Sequence, residues 1–405
     1  MANKQLTQAK NAKNDEFYTQ WSDIEREVQA YLDFYPDVFR GKTILCPCDD
    51  PYESNFFKYF ALKFDQFKLK KLIATCYVDS PIANTELSLF DDESEENKTT
   101  RNPHKIEITE IPDLNNDGVA NLADVELLLA SDRNHLTRLK GDGDFRSDEI
   151  KKLRDEADII ITNPPFSLFR EFLAWIVEAD KQFLIIANMN AITYKEVFPL
   201  IKENKVWLGA TGFNEGMYFK VPEGFIYADS YKFDRERNGE KVNRVPGVCW
   251  LTNLEHGRRH LPLSLMTMED NLQYSRHKEI RGKKNYDRYD NYDAIEVPFT
   301  DAIPSDYDGV MGVPISFLDK YCPEQFEIMG ATQRGCHDDV PDTKKYDDYW
   351  EVRPNGTPTG SSGNKTNENA NLVGNDGKKN YFVNKEGRMI QSAYQRIFIR
   401  KRKGN

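Results

Sequence analysis

The sequence predicts an α/β protein organised on a doubly wound parallel sheet, and three observations carry that reading. Short apolar, β-branched runs recur at 41–48, 72–78, 157–162 and 183–187, without the polar alternation of a half-exposed strand; strands buried on both faces read this way. The early runs are each followed by a polar loop and an amphipathic helix, the strand–loop–helix rhythm of a parallel sheet. At 405 residues the chain is long for one core, so two domains are expected, residues 1–260 and 261–405.

Bulk composition narrows the class. A hydrophobic content of 39%, with 24 Phe and 20 Tyr, suffices for large cores. No apolar run approaches the length of a membrane span, and the opening Met1-Ala2-Asn3-Lys4-Gln5 has no signal-peptide core, so a cytoplasmic protein without membrane contact is expected. Six cysteines lie at 46, 48, 76, 249, 322 and 336, without the spacing of paired zinc ligands; reduced thiols follow. The net charge of −11 argues mildly against a polyanion partner but does not exclude one, because nucleic-acid binding follows local basic surface.

In chain order, a helix is predicted over about 21–32, with Ile24, Val28 and Leu32 on its inward face. The first strand, 41–48, ends in Asp49-Asp50-Pro51, and Ser54-Asn55 opens a helix carrying Phe56, Phe57, Tyr59 and Phe60. The second strand, 72–78, ends at Asp79. No Gly-x-Gly-x-x-Gly follows the first strand, so a dinucleotide fingerprint is absent.

An insertion over about 85–135 breaks the rhythm. Within it, Asp113, Asn115, Asp117, Asn121 and Asp124 occupy positions 1, 3, 5, 9 and 12 of a loop with Gly118 at position 6. Oxygen ligands at that spacing suit calcium, and the stretch resembles the calcium loop of a dockerin repeat. An Asx-rich turn capping the following helix explains the same residues.

The strand–loop–helix rhythm resumes at Gly141-Asp142-Gly143-Asp144-Phe145-Arg146-Ser147. A helix leads to the strand 158–162, which stops at Asn163-Pro164-Pro165-Phe166 because two prolines fix φ and remove two backbone donors. Ser167 then opens a helix with Phe169, Phe172, Leu173 and Ile176 on one face. A carboxamide is thereby held at the carboxyl end of a central strand, where open α/β sheets bind ligands. Methylation of an exocyclic amine suits such a turn. An adenine N6 is a poor nucleophile because its lone pair is delocalised. Acceptors on its two N–H bonds, the Asn163 side-chain oxygen and the Pro164 carbonyl, would orient it and stabilise the charge that develops during attack on a sulfonium methyl. Phe166 offers a face for a flipped base. The bland alternative is a common turn beside a core phenylalanine.

Strands at 183–187, 205–209 and 247–251 complete the first domain. Beyond about residue 260, Arg276, Lys278, Arg281, Lys283, Lys284 and Arg288 are interleaved with Tyr274, Tyr286 and Tyr289, a pattern suited to phosphate contact beside base contact or, alternatively, to a solvated loop. The stretch 354–379, heavy in Gly, Asn, Thr and Ser, is expected to be a flexible loop, and the chain closes on a strand with a basic tail.

These stretches, taken as a set, resemble the EcoRI-type adenine-specific DNA methyltransferases: Asp15-Glu16-Phe17-Tyr18-Thr19, Cys48-Asp49-Asp50-Pro51, Gly141 to Ser147, and Thr162 to Phe169, with later likeness at 250–254, 289–295 and 309–315. The resemblance implies a Rossmann-like S-adenosylmethionine-dependent enzyme with a C-terminal target-recognition region, methylating adenine N6 in a short site of duplex DNA. It implies that Phe17, Tyr18 and Thr19 hold the methionine end of the cofactor, that Cys48, Asp49 and Pro51 form the cofactor loop after the first strand, and that Asp144 and Phe145 lie beside the cofactor adenine. Asp79 is a loose match for the acidic residue on the ribose, and Phe17 and Phe145 equally fit core positions. Asn163, Pro164, Pro165 and Phe166 match the catalytic motif. A monomer acting beside a companion restriction endonuclease is expected. The alternatives are an Asn-Pro-Pro enzyme acting on RNA adenine or protein glutamine, and a catalytically idle DNA-binding or calcium-dependent docking protein.

Overall fold

The computed structural model describes residues 18–51, 54–76, 103–114, 123–125, 127, 136–213, 217–220, 235–237, 240–245, 247–332 and 339–402. The chain forms two compact units, Met1–Asn190 with Trp207–Gly257, and Ala191–Val206 with Arg258–Asn405.

The first unit contributes the strands β1 (Tyr18–Thr19), β2 (Thr43–Cys46), β3 (Lys71–Thr75), β4 (His104–Ile108), β5 (Leu136–Arg138) and β6 (Ile159–Thr162). It continues with β7 (Gln182–Asn188), β8 (Trp207–Leu208), β9 (Met217–Lys220), β10 (Arg235–Arg237), β11 (Glu240–Val245) and β12 (Val248–Thr252). Its helices are α1 (Trp21–Phe34), α2 (Asn55–Leu62), α3 (Phe64–Phe67), α4 (Asp148–Glu156) and α5 (Phe169–Glu178).

Eight of these strands form one sheet in the order β5-β4-β3-β2-β6-β7-β12-β8. The central four, β3, β2, β6 and β7, run parallel. The margins make the sheet mixed: β4 and β5 extend one edge antiparallel, and β12 and β8 the other. β4 falls within the stretch expected as an insertion, so part of that stretch belongs to the sheet itself.

The apolar runs are explained by two covered faces. Ile44 and Cys46, Leu72 and Ala74, Ile159 and Ile161, Leu184 and Ile186 join Val28, Tyr31, Phe56 and Phe60 in one core. The intervening Leu45, Ile73, Ile160 and Ile185 are buried as well. Each strand therefore shows the period-two split, with both halves apolar. Chain order reverses about β2, which has β3 on one side and β6 on the other. This is a topological switch point, and the loops leaving β2 and β6 emerge from the same edge of the sheet.

The second unit carries α6 (Phe198–Lys202), α7 (Met268–Tyr274) and strands β13 (Ala294–Glu296), β14 (Val310–Pro314), β15 (Phe326–Ala331), β16 (Tyr349–Val352) and β17 (Pro358–Ser362). It closes with β18 (Asn371–Val373), β19 (Tyr381–Asn384), β20 (Met389–Ser392) and β21 (Arg396–Lys401). Two sheets result, β13-β14-β21-β15 and β17-β16-β19-β20-β18. The expected flexible loop at 354–379 is corrected: it supplies β17, a short 3₁₀ turn at Gly363–Thr366, and β18. Its order comes from buried polar bonds in place of an apolar core. The Asn371 side chain donates to the Thr366 and Asn369 carbonyls, both at 2.9 Å, and its oxygen accepts from Thr366 Oγ1 at 2.6 Å and Ser392 Oγ at 2.8 Å.

Candidate active site

The site is assembled at the switch point. β6 ends in Thr162, and Asn163 follows as the first residue of the turn; it is half-buried, with its carboxamide oxygen shielded from solvent. Pro164 is buried, and no described backbone N–H donates to its carbonyl. A single 3₁₀ turn, Phe166–Leu168, precedes α5, closed by Leu168 N–H donating to the Pro165 carbonyl at 3.0 Å. The helix therefore starts at Phe169, two residues later than the apolar pattern places it. Phe169, Phe172, Leu173 and Ile176 are buried, and Trp175 joins them. Phe166 is half-buried and packs against the core of the first unit.

The loop after β2 lies beside this turn. Asp49 is 5% exposed, and its carboxylate accepts from Ser54 Oγ at 2.6 Å and from Thr162 Oγ1 at 2.5 Å. Ser54 also caps α2, accepting from the Phe56 and Phe57 backbone at 3.1 and 3.4 Å, the N-cap geometry its residue type favours. Thr75 Oγ1, at the end of β3, donates to the Pro47 carbonyl at 2.9 Å. Cys48 is half-buried and Pro51 buried. The Asp49 carboxylate thus bridges Ser54 at the start of α2 and Thr162 at the end of β6.

The N-terminal segment is held by a second sheet, β1-β9-β11-β10, in which Tyr18 pairs with Lys220 and Thr19 with Phe219. Two acidic side chains one helical turn apart on α1 anchor the approach to β9. Asp23 accepts from Tyr218 N at 2.9 Å, and Glu27 from Ala210 N and Thr211 N, both at 2.7 Å. Glu27 is fully buried, which pushes its carboxyl above the usual range. Gly209 permits the approach, since a Cβ there would meet Glu27 Oε1 at 2.2 Å. The Thr19 hydroxyl oxygen is buried, with no hydrogen-bond partner among the described residues. Phe17 and Asp79 lie outside the described residues, as does the Tyr18 side chain.

The loop before α4 is built from consecutive Asx turns. Asp142 Oδ1 accepts from Asp144 N at 3.0 Å, Asp144 Oδ1 accepts from Arg146 N at 2.8 Å, and Gly143 takes the φ of +80° between them. Both Asp144 oxygens also receive the Arg146 guanidinium, at 2.9 and 2.6 Å. Those hydrogen bonds hold its carboxyl below the usual range. Phe145 is largely buried, 5.1 Å from Phe172 and 5.7 Å from Trp175 in edge-on geometry.

The calcium reading finds no support. Asn115, Asp117 and Asn121 lie outside the described residues, and among the described residues no group of three ligating side chains gathers. Asp124 is fully buried and accepts from Leu114 N at 2.8 Å, as an Asx residue closing a turn does. The basic-aromatic run is also corrected in part. Tyr286 and Tyr289 are core residues, their hydroxyls bonded to the Ala302 carbonyl and to Glu296. Arg276, Lys283 and Arg288 are paired with Asp301, Asp287 and Asp293. Lys278, Arg281 and Lys284 are exposed, and Tyr274 is 65% exposed.

A family model described as adenine-specific methyltransferase EcoRI matches residues 5–402. The chain belongs to the EcoRI-type adenine-specific DNA methyltransferase family. It is 45% identical over 328 residues to the Type II methyltransferase M.EcoRI of Escherichia coli, across 81% of this chain and 89% of that protein. It is 36% identical over 326 residues to the Type II methyltransferase M.MpnI of Mycoplasma pneumoniae, across 80% and 84%. To M.MgeORF184P of Mycoplasma genitalium it is 35% identical over 325 residues, across 80% and 85%. No solved structure matches. As an EcoRI-type methyltransferase the protein is an adenine-directed enzyme, and the glutamine-directed and idle-scaffold alternatives are set aside. Membership implies S-adenosylmethionine as the methyl donor. No described helix is long and apolar enough to cross a membrane.

Proposed function

We propose that the enzyme methylates the N6 amine of an adenine swung out of duplex DNA at one short site, in the turn Asn163–Phe166. The observation that carries this reading is the position of that turn, at the carboxyl end of β6 and at the switch point with β2. Asn163 Oδ1 and the Pro164 carbonyl accept the two N–H bonds of the target amine, holding its nitrogen with the lone pair directed at the methyl carbon. Neither acts as a general base; both stabilise positive charge that exists only in the transition state. Phe166 supports the extruded base by stacking.

S-adenosylmethionine, when bound, supplies an electrophilic methyl on a sulfonium. Thr19, with its buried and unpartnered hydroxyl, fits a ligand's polar group at the methionine end. Cys48, Pro51 and the Asp144 loop border the same carboxyl edge, and Asp144 would share its carboxylate between Arg146 and a cofactor amine. The second unit serves target recognition, with Lys278, Arg281 and Lys284 on phosphates. A companion endonuclease cutting the same sequence is the expected partner, in line with the Type II relatives.

The test is methylation of a random duplex DNA pool with labelled cofactor, followed by mapping of the modified bases. Label confined to adenine within one short sequence is expected. Label absent from DNA, or found only in an RNA pool treated in parallel, overturns the reading.

A further inference from the structure

Asp49 sits in the loop after β2, and its carboxylate is tied to the end of the neighbouring strand. It is 5% exposed and accepts two short hydroxyl bonds, 2.6 Å from Ser54 and 2.5 Å from Thr162, lengths typical of charge-assisted O–H···O⁻ contacts. Thr162 is itself fully buried and is the residue immediately before Asn163. The two parallel strands are thus laced at both ends. At the start, Asp158 Oδ2 accepts from Thr43 N at 2.7 Å, and Asp158 N donates to the Thr43 carbonyl at 2.9 Å. At the finish, Thr162 Oγ1 donates to the Asp49 carboxylate of the β2 loop.

The Asp49 end of this tie is fixed. Ser54 caps α2, Ser54 N donates to the Asp50 carbonyl at 2.8 Å, and Thr75 of β3 grips the Pro47 carbonyl. A loop pinned by its neighbours can serve as a reference point for the turn that follows Thr162.

We propose that Asp49 is a positioning residue for methyl transfer, setting the Asn163 turn through Thr162. The proposal rests on Asn163 as the acceptor for the target amine. Orientation errors of about 1 Å at such an acceptor cost up to roughly a hundredfold in rate, so loss of the tie should appear in the chemical step.

The experiment compares Thr162→Val, which keeps the branched shape and removes the donor, with Thr162→Ser, which keeps the donor. Single-turnover methylation is measured at saturating DNA and cofactor, together with the dissociation constant for S-adenosylhomocysteine. For Thr162→Val a fall of about ten- to a hundredfold in rate is expected, with cofactor affinity within about twofold of the parent enzyme, the bound on a merely indirect effect. Thr162→Ser should recover most of the rate. Asp49→Asn, which leaves one acceptor oxygen, should fall between the two. An unchanged rate in Thr162→Val overturns the proposal, as does a loss confined to cofactor affinity or a failure of serine to rescue. Asn163→Ala, run alongside, separates the two ideas: inactive Asn163→Ala with fully active Thr162→Val removes only the tie, whereas active Asn163→Ala removes the reading beneath it.

Discussion

Asn55 reaches from the first turn of α2 and donates its side-chain amide to the Thr19 carbonyl, 2.7 Å away. The bond fastens β1, the segment assigned to the methionine end of the cofactor, to the helix that follows the β2 loop. A hydrogen bond of this kind contributes about 0.5–1.5 kcal/mol net, and pairing of β1 with β9 carries the rest of the docking. Asn55→Ala should therefore weaken binding of S-adenosylhomocysteine by roughly two- to tenfold. The saturated methylation rate should stay near that of the parent. Calorimetric titration reads the first quantity, and an unaltered dissociation constant would separate β1 from the cofactor.

Asn163→Ala removes one of the two acceptors proposed for the adenine amine. Loss of a single preorganised group facing developing charge costs about a hundred- to a thousandfold in other active sites. The same drop is expected in single-turnover methylation, with cofactor affinity preserved because no cofactor contact is assigned to Asn163. Retention of more than half the parent rate would contradict the assigned role.

The parts of the enzyme that were legible from sequence share one physical cause. β2, β6 and β7 are covered on both faces, so their burial is written as unbroken apolar runs. Ser54 reads as a helix start because its hydroxyl is suited to capping, and it does cap α2. Strand direction has no such signature, which is why β4 and β12 were not recognisable as antiparallel neighbours of a parallel centre. The stretch 354–379 was misread for a related reason. Its order rests on Asn371, Thr366 and Asn291, whose polar side chains are satisfied by partners scattered through the second unit. Asp49 shows the limit for the site: the residue type announces a polar loop, but its partner Thr162 lies 113 positions away.

The basic run divides into paired and unpaired charges, and the two groups should behave differently on DNA. Lys278, Arg281 and Lys284 are exposed, whereas Arg276, Lys283 and Arg288 already face Asp301, Asp287 and Asp293. Each phosphate contact adds about 0.9 to the slope of log affinity against log salt, so neutralising the first three together should flatten it by up to about 2.7. The loss should be similar on cognate and unrelated duplexes, because phosphates carry no sequence. Neutralising the paired three should change the slope less. Fluorescence anisotropy across a salt series makes the comparison, and equal slopes for the two triple variants would refute the division.

Glu351 gives the second unit a pH dependence with a definite sign. It is buried in β16 and receives Lys365 Nζ at 2.9 Å on each oxygen, Thr359 Oγ1 at 2.7 Å and Asn380 Nδ2 at 3.2 Å. Burial alone would raise its pKa; hydrogen bonds from Lys365, Thr359 and Asn380 outweigh it, and the carboxyl sits at about 2 in place of 4.5. Between those values the unfolded chain binds the proton more readily than the folded one. The contribution is therefore complete above about 4.5 and is lost as the pH falls towards about 2. Glu351→Gln should be less stable than the parent near neutrality, with the gap narrowing as the medium is acidified through that window. Urea unfolding midpoints taken across the acid range test this, and a gap that is constant or widens on acidification would show that Glu351 is not held in its charged form by these partners.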